Sequence, residues 1–202
     1  MNIMARSEEI VVRKMQDDAA DFHLMAKWLS DERVLEFYDG RDNPYDYVKV
    51  VAKFSPRVRG NSHVTPCLIE YRNKPVGYVQ FFEITSKEKE EYGYPQEVCI
   101  LGLDMFIGEP KFRGKGIALP AVNCLIDQLF RTTPTATIVV DPQAWNKRAV
   151  RFWEKAGFRP MKVLEKRELH EGKYRDCWLM EQHRDSDREE GFPLKENEVA
   201  VR

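Results

Sequence analysis

One segment restricts the fold of this chain more than any other: Val98 to Phe130. It opens with VCILGLDMFIG, a run apolar enough to be an interior strand. It then passes through GEPKFRGKGIA, a glycine-containing basic loop, and continues as an amphipathic run from Leu119 to Phe130. Strand, loop and helix follow one another without a spacer, and the pattern repeats once. TATIVVD reads as a second strand and, after a break at Asp141 and Pro142, a helix spans Asn146 to Ala156.

The flanking segments complete a mixed α/β order. After a polar lead, Ile10 to Lys14 reads as a short strand. Phe22, Met25, Ala26, Trp28 and Leu29 give helical spacing to Asp17–Leu29, with Asp17 and Asp18 as N-cap candidates. Gly40 and Pro44 break the chain before a second helix from Tyr45 to Phe54. VTPCLIEY and VGYVQFFEI, joined by the turn Arg72 to Pro75, make an antiparallel hairpin, and SKEKEEYGYPQ reads as a polar loop. A last pair, Arg159 to Leu169 and Lys173 to Glu181, meets at Glu171 and Gly172. The expected architecture is a mixed central sheet flanked by helices, antiparallel early and parallel around the glycine loop.

Composition excludes several classes. With 32 Lys+Arg against 33 Asp+Glu in 202 residues, the net charge is −1, unlike a dedicated nucleic-acid binder. A hydrophobic fraction of 43% suits one packed core, expected over residues 1–182. Residues 183–202 lose the periodicity and read as a loosely ordered tail. The N-terminus has no apolar signal region, and no run approaches membrane-spanning length, so a cytoplasmic protein without a membrane partner is expected. Cys67, Cys99, Cys124 and Cys177 are far apart, with no CxxC pair, and read as reduced thiols rather than metal ligands.

Between a buried strand and a helix, the loop Arg113, Gly114, Lys115, Gly116, Ile117 and Ala118 is an anion cradle. Glycines let a pyrophosphate approach the main chain, helix-start N–H groups point at it, and Arg113 and Lys115 add charge. It is neither GxxxxGK[ST] nor GxGxxG. Taken alone, RGKG is equally compatible with an ordinary basic turn.

RGKGIA followed, one strand later, by NKRAVRFWEKAGF resembles the acyl-CoA loop and the Asn…Ala…aromatic…Gly-Phe helix of GCN5-related N-acetyltransferases (GNAT). The resemblance covers Ile10 to about Gln182. It implies a GNAT fold whose sheet is split at the acetyl-CoA site. The backbone from Arg113 to Ala118 would hold the CoA pyrophosphate, and Met105, Phe106 and Ile107 would offer a strand edge to pantetheine. Asn146 and Arg148 would add contacts. KWLSDERVLEFYDGRD, PVGYVQFFE, GLDMFIGEP and LHEGKYRDCWLME further resemble the aminoglycoside 6′-N-acetyltransferases, notably the acetyltransferase half of bifunctional resistance enzymes. That implies a cationic aminoglycoside acceptor, with Asp104 as catalytic base, in a monomer or homodimer.

Amine chemistry independently requires such a carboxylate, because an ammonium has no lone pair to attack a thioester. A reference Asp near 4 against an amine near 8 or 9 leaves a gap of about 4–5 units, roughly 6 kcal/mol at ~1.4 kcal/mol per unit. Either burial raises the pKa of Asp104, or the proton moves as the C–N bond forms. Five Glu against two Lys between Phe82 and Glu97 give a local −3, suited to steering a cation or simply a solvated acidic loop. By the resemblance Tyr38, Asp39, Glu83, Tyr92, Asp141 and Asp176 fall in acceptor-facing segments. Where the family's helix commonly carries a tyrosine to protonate the thiolate, this chain has Trp153. The competing readings are acylation of another amine or hydroxylamine, such as a siderophore precursor, and a non-catalytic acyl-CoA-binding module.

Overall fold

The structure is a computed structural model that describes residues 2–184. One eight-stranded sheet runs through it in the order β1-β2-β3-β4-β5-β6-β8-β7. Its strands are β1 (Ile3–Ser7), β2 (Ile10–Lys14), β3 (Val64–Tyr71), β4 (Lys74–Glu83), β5 (Ile100–Ile107), β6 (Thr137–Val140), β7 (Arg159–His170) and β8 (Lys173–His183). Only β5 and β6 are parallel, joined over the sheet by α5 (Ala118–Thr132); every other neighbouring pair is antiparallel. The expected parallel pair beside the glycine loop is therefore present, in an otherwise antiparallel sheet.

Each face of the sheet carries its own core. On one face α5 and α6 (Lys147–Lys155) pack Val122, Leu125, Leu129 and Trp153 over Val12, Leu101, Leu103 and Ile138. On the other, α1 (Ala19–Trp28) and α3 (Tyr47–Val58) pack Phe22, Met25, Trp28, Val50 and Phe54 against Leu68 and Tyr78. Period-2 alternation assigns the faces: Leu101 and Leu103 point to α5, while Ile100 points the other way with Val139 and Leu179.

Three elements escape a periodicity reading. β1 lies in the polar lead, where only Ala5 is buried; it is held by backbone pairing to β2. α2 (Glu32–Leu35) is four residues long, started by the Asp31 carboxylate accepting the Arg33 N–H. The stretch expected to be a polar loop contains α4 (Ser86–Tyr92), bounded by a Thr85–Glu88 capping box and by Gly93 at φ 86°. At the C-terminal end β8 continues to His183, and the Arg184 N–H donates to the Ala136 carbonyl. The remainder of the expected tail lies outside the described residues. Among the described residues no helix is long and apolar enough to cross a membrane, and no three His, Cys, Asp or Glu converge as metal ligands.

Candidate active site

β5 and β6 pair only over Ile100–Gly102 and Thr137–Val139. From Leu103 onward β5 continues along β4 to Ile107, but its other edge has no strand partner. A cavity of about 1200 Å³ fills the resulting fork. Its wall includes the end of β5, the loop before α5, the start of α6 and the turn after α2.

One half of the cavity has chemistry that can hold an anion. Asp18, Asp31, Asp46, Thr85 and Asn146 each cap the helix that follows, whereas α5 alone among the described α-helices starts with no side-chain cap. Its first N–H groups remain free for a ligand. Gly114 and Gly116 reach φ 72° and 78°, and a Cβ on Gly116 would meet no atom within 4 Å. Gly114, Gly116, Ile117 and Ala118 line the cavity together with Met105, Phe106, Ile107, Asn146 and Arg148, while Lys115 is exposed beside it. Arg113 lines it too, but its guanidinium is engaged: Nε donates to the Ile107 carbonyl at 3.0 Å, and Nη2 to Asp31 Oδ2 at 2.6 Å and the Gly108 carbonyl at 2.7 Å. Arg113 thus ties the loop to the tip of β5 and to α2. Asn146 accepts the Ala149 N–H at 3.0 Å, which starts α6 and sets Arg148 beside Gly114.

Asp104 lines the other half. It faces Gln80 directly across the β4–β5 ladder, on the face away from α5. Gln80 Nε2 donates to Asp104 Oδ2 at 2.6 Å, while Gln80 Oε1 accepts from Tyr78 Oη at 2.7 Å and Arg57 Nη1 at 2.9 Å. Two donors on one amide atom leave the other to donate, so the amide orientation follows from its neighbours. Burial pushes the Asp104 carboxyl up to about 7, the charge of Asp141 adds to the rise, and the Gln80 hydrogen bond opposes it. Tyr38 stands against Phe106, ring centroids 5.1 Å apart, and burial raises its phenol well above the ordinary value.

The acidic residues expected around an acceptor divide. Asp39, at φ 63°, and Asp141 line the cavity. Asp39 accepts from Tyr45 Oη at 2.8 Å and Lys53 Nζ at 2.5 Å. Asp141 Oδ2 pairs with Arg167 Nε at 3.2 Å, and Arg167 also gathers Glu88, Glu91 and the Tyr92 hydroxyl. Tyr92 is buried behind the cavity in the core under α4. Glu83 is exposed, 3.8 Å from Lys89, and Asp176 is exposed, accepting the Lys166 N–H; neither reaches the cavity wall. Gln80, Arg57, Tyr78 and Arg167 are the contributors that sequence reading missed. Gln80 becomes visible only through the β4–β5 register, and Arg167 only through a bulge in β7.

Two observations limit the chemistry. Burial pushes the Cys67 and Cys177 thiols up to about 12, so neither is a thiolate near neutrality. Trp153, packed between Phe152 and Phe158, lines the cavity and carries no hydroxyl. The site therefore offers the Asp104 carboxyl, pushed up to about 7, beside a loop with free backbone N–H groups, and burial raises Asp141 on the same wall as well.

Comparison with known proteins agrees with this geometry. A model of the acetyltransferase (GNAT) domain matches residues 17–166. The aminoglycoside N(6′)-acetyltransferase type 1 of Klebsiella pneumoniae is 25% identical over 157 residues, 78% of each chain. Among solved structures, an aminoglycoside acetyltransferase AAC(6′)-Ib in complex with coenzyme A superposes with a TM-score of 0.69, at 22% identity, over 89% of this chain and 98% of that one. A spermidine N-acetyltransferase from Vibrio cholerae with CoA and spermine superposes with a TM-score of 0.70, at 18% identity, over 88% and 96%. With the family model spanning most of the chain and the forked sheet in place, this protein belongs to the GNAT acetyltransferase family.

Proposed function

We propose that the protein transfers the acetyl group of acetyl-CoA directly to a primary amine, the 6′-amine of an aminoglycoside, with Asp104 taking the proton. The observation that carries this reading is the Asp104 carboxyl, raised by burial to about 7 at the fork of the sheet. Against an amine near 8 or 9 the proton-transfer gap narrows to about 1–2 units, roughly 2 kcal/mol, instead of 4–5 units. Of the two routes open to a carboxylate base, burial supplies most of the change.

The chain's own residues fit the cofactor. Backbone N–H groups at the uncapped start of α5, with Gly114 and Gly116 in the preceding loop, would take the pyrophosphate, and Arg148 would add charge. The free edge of β5 from Met105 to Ile107 would pair with the pantetheine amides. Acetyl-CoA would supply a thioester electrophile whose thiol, with a pKa of about 8.5, is a tolerable leaving group without a protein acid. Trp153 offers no such acid. Gln80 holds Asp104 by one oxygen and leaves the other for the amine. The 25% identity to an aminoglycoside N(6′)-acetyltransferase supports the choice of acceptor.

Release of CoA with kanamycin or tobramycin as acceptor tests the reading, with mass spectrometry locating the acetyl group. Turnover at the 6′-position is expected. Absence of turnover with any 6′-amino aminoglycoside would end the aminoglycoside assignment.

A further inference from the structure

An irregularity in β7 turns one side chain into the cavity. Between Leu164, opposite Cys177, and Glu168, opposite Arg175, four steps along β7 match two along β8. Lys166 inside this bulge sits at φ 50°, unfavourable for a residue with a Cβ, and its N–H is held by Asp176 Oδ1 at 2.8 Å. The neighbouring Arg167 consequently lines the cavity, with only 22% of its side chain exposed. There it donates to Glu88 at 3.0 Å, to Glu91 and Asp141 at 3.2 Å, and to the Tyr92 hydroxyl at 2.7 Å. Asp39, elsewhere on the same wall, is paired with Lys53. Asp104, by contrast, has only the neutral Gln80 as donor.

We propose that Arg167 determines acceptor specificity: its guanidinium stands beside Asp141 where a second ammonium of the acceptor would otherwise pair. Arg167 thereby lessens the advantage that acceptors with two amines on the reacting ring gain from the carboxylates at this end, Glu168 on the same wall included. This inference rests on the acceptor being a primary amine, as proposed above. It is selection by one like charge set among attractive contacts, so removing that charge shifts the preference. The strained bulge is the structural cost of aiming the charge.

Kanamycin A carries a hydroxyl, and kanamycin B an amine, at the 2′-position of the ring that bears the 6′-amine. The ratio of kcat/KM for B over A isolates one added ammonium. Arg167→Gln is expected to raise this ratio about tenfold, equivalent to ~1.4 kcal/mol, mostly through KM. Arg167→Lys, which keeps the charge, should leave the ratio within about twofold. An unchanged ratio in Arg167→Gln overturns the proposal. If that variant does not fold, Glu91→Lys adds a cation to the same cluster from a half-exposed position; a several-fold fall in the ratio supports the proposal, and no change overturns it. If the wild type acetylates neither kanamycin, the aminoglycoside reading fails separately. Calorimetric affinities for 1,3-diaminopropane and propylamine then decide the role of Arg167, with the diamine gaining selectively in Arg167→Gln or the proposal falling.

Discussion

Two arginines each draw carboxylates from distant parts of the chain, and they do opposite things with them. Arg13 on β2 forms a two-pronged pair with Asp21 of α1, at 2.7 and 2.8 Å, and reaches Glu70 of β3 at 2.7 Å. Its side chain is 8% exposed, and those of Asp21 and Glu70 are 4% and 8%. Arg167 collects three carboxylates with comparable chemistry, but at 22% exposure and on a cavity wall. Sealed from water, the first cluster ties α1 to the sheet and can serve no ligand. The second remains open to one. Hydrogen-bond count does not separate structure from function here; access to the cavity does.

Removing the buried hub should have the largest effect. Arg13→Ala leaves two carboxylates uncompensated inside the protein, and breaking such a pair from one side costs about 3–5 kcal/mol. Urea unfolding should report that loss, while kcat of the remaining folded enzyme stays near wild type. A loss below about 1 kcal/mol would mean that water reaches Asp21 and Glu70, and the contrast with Arg167 would collapse.

The second prediction concerns the carboxylate that neither arginine neutralises. Asp104→Asn should keep acetyl-CoA affinity within about twofold and lose on the order of 10²–10³-fold in turnover, the usual contribution of a positioned base. Since the Asp104 carboxyl titrates at about 7, kcat/KM in the wild type should rise as pH climbs through 7, and this limb should vanish in the variant. Linkage gives the matching sign for stability. A carboxyl whose folded pKa lies above its unfolded value binds more protons when folded, so Asp104 lowers stability as pH rises from about 4 to 7. Asp104→Asn should therefore be the more stable protein at pH 8, by thermal melting. Equal melting temperatures at pH 8 and unchanged turnover would remove Asp104 from the role of base.

How much of this was legible in the sequence follows from the range of the interactions involved. The glycine loop, the strand bearing Asp104 and the Asn146 helix start are local features, written in consecutive residues. α4 was equally local: Thr85 and Glu88 at capping-box spacing and Gly93 at the end spell a helix, masked by a charge-rich composition that reads as solvent. Gln80 and Arg57 are different in kind. Gln80 meets Asp104 only because β4 pairs with β5 in one register, and Arg57 reaches Gln80 only because α3 packs over that face; neither fact leaves a mark within a single segment. Arg167 is harder still, since the bulge that turns it inward departs from the strand alternation on which the reading relies.

A third prediction returns to the open hub. Arg167→Ala should cost about 1–2 kcal/mol of folding stability, between the values for exposed and sealed pairs, because Glu88, Glu91 and Asp141 can take water from the cavity. The measurement is the same urea midpoint used for Arg13→Ala. If the two substitutions cost the same, Arg167 is a structural pin for α4, and its exposure to the cavity has no energetic meaning.

The smallest effect should come from a residue that touches neither hub. Asp176 lies on the exposed side of β8 and accepts the N–H of Lys166, the residue held at φ 50° in the bulge. Asp176→Ala removes one hydrogen bond from backbone that otherwise turns to water, a change of about 1 kcal/mol or less. With that restraint gone, Lys166 can relax toward negative φ, and the direction in which β7 presents Arg167 changes with it. The kanamycin B over A ratio should then move part of the way toward that of Arg167→Gln while acetyl-CoA binding is unaffected. A ratio identical to wild type would show that Arg167 is held by its carboxylate partners alone, and that the bulge is incidental to where its charge sits.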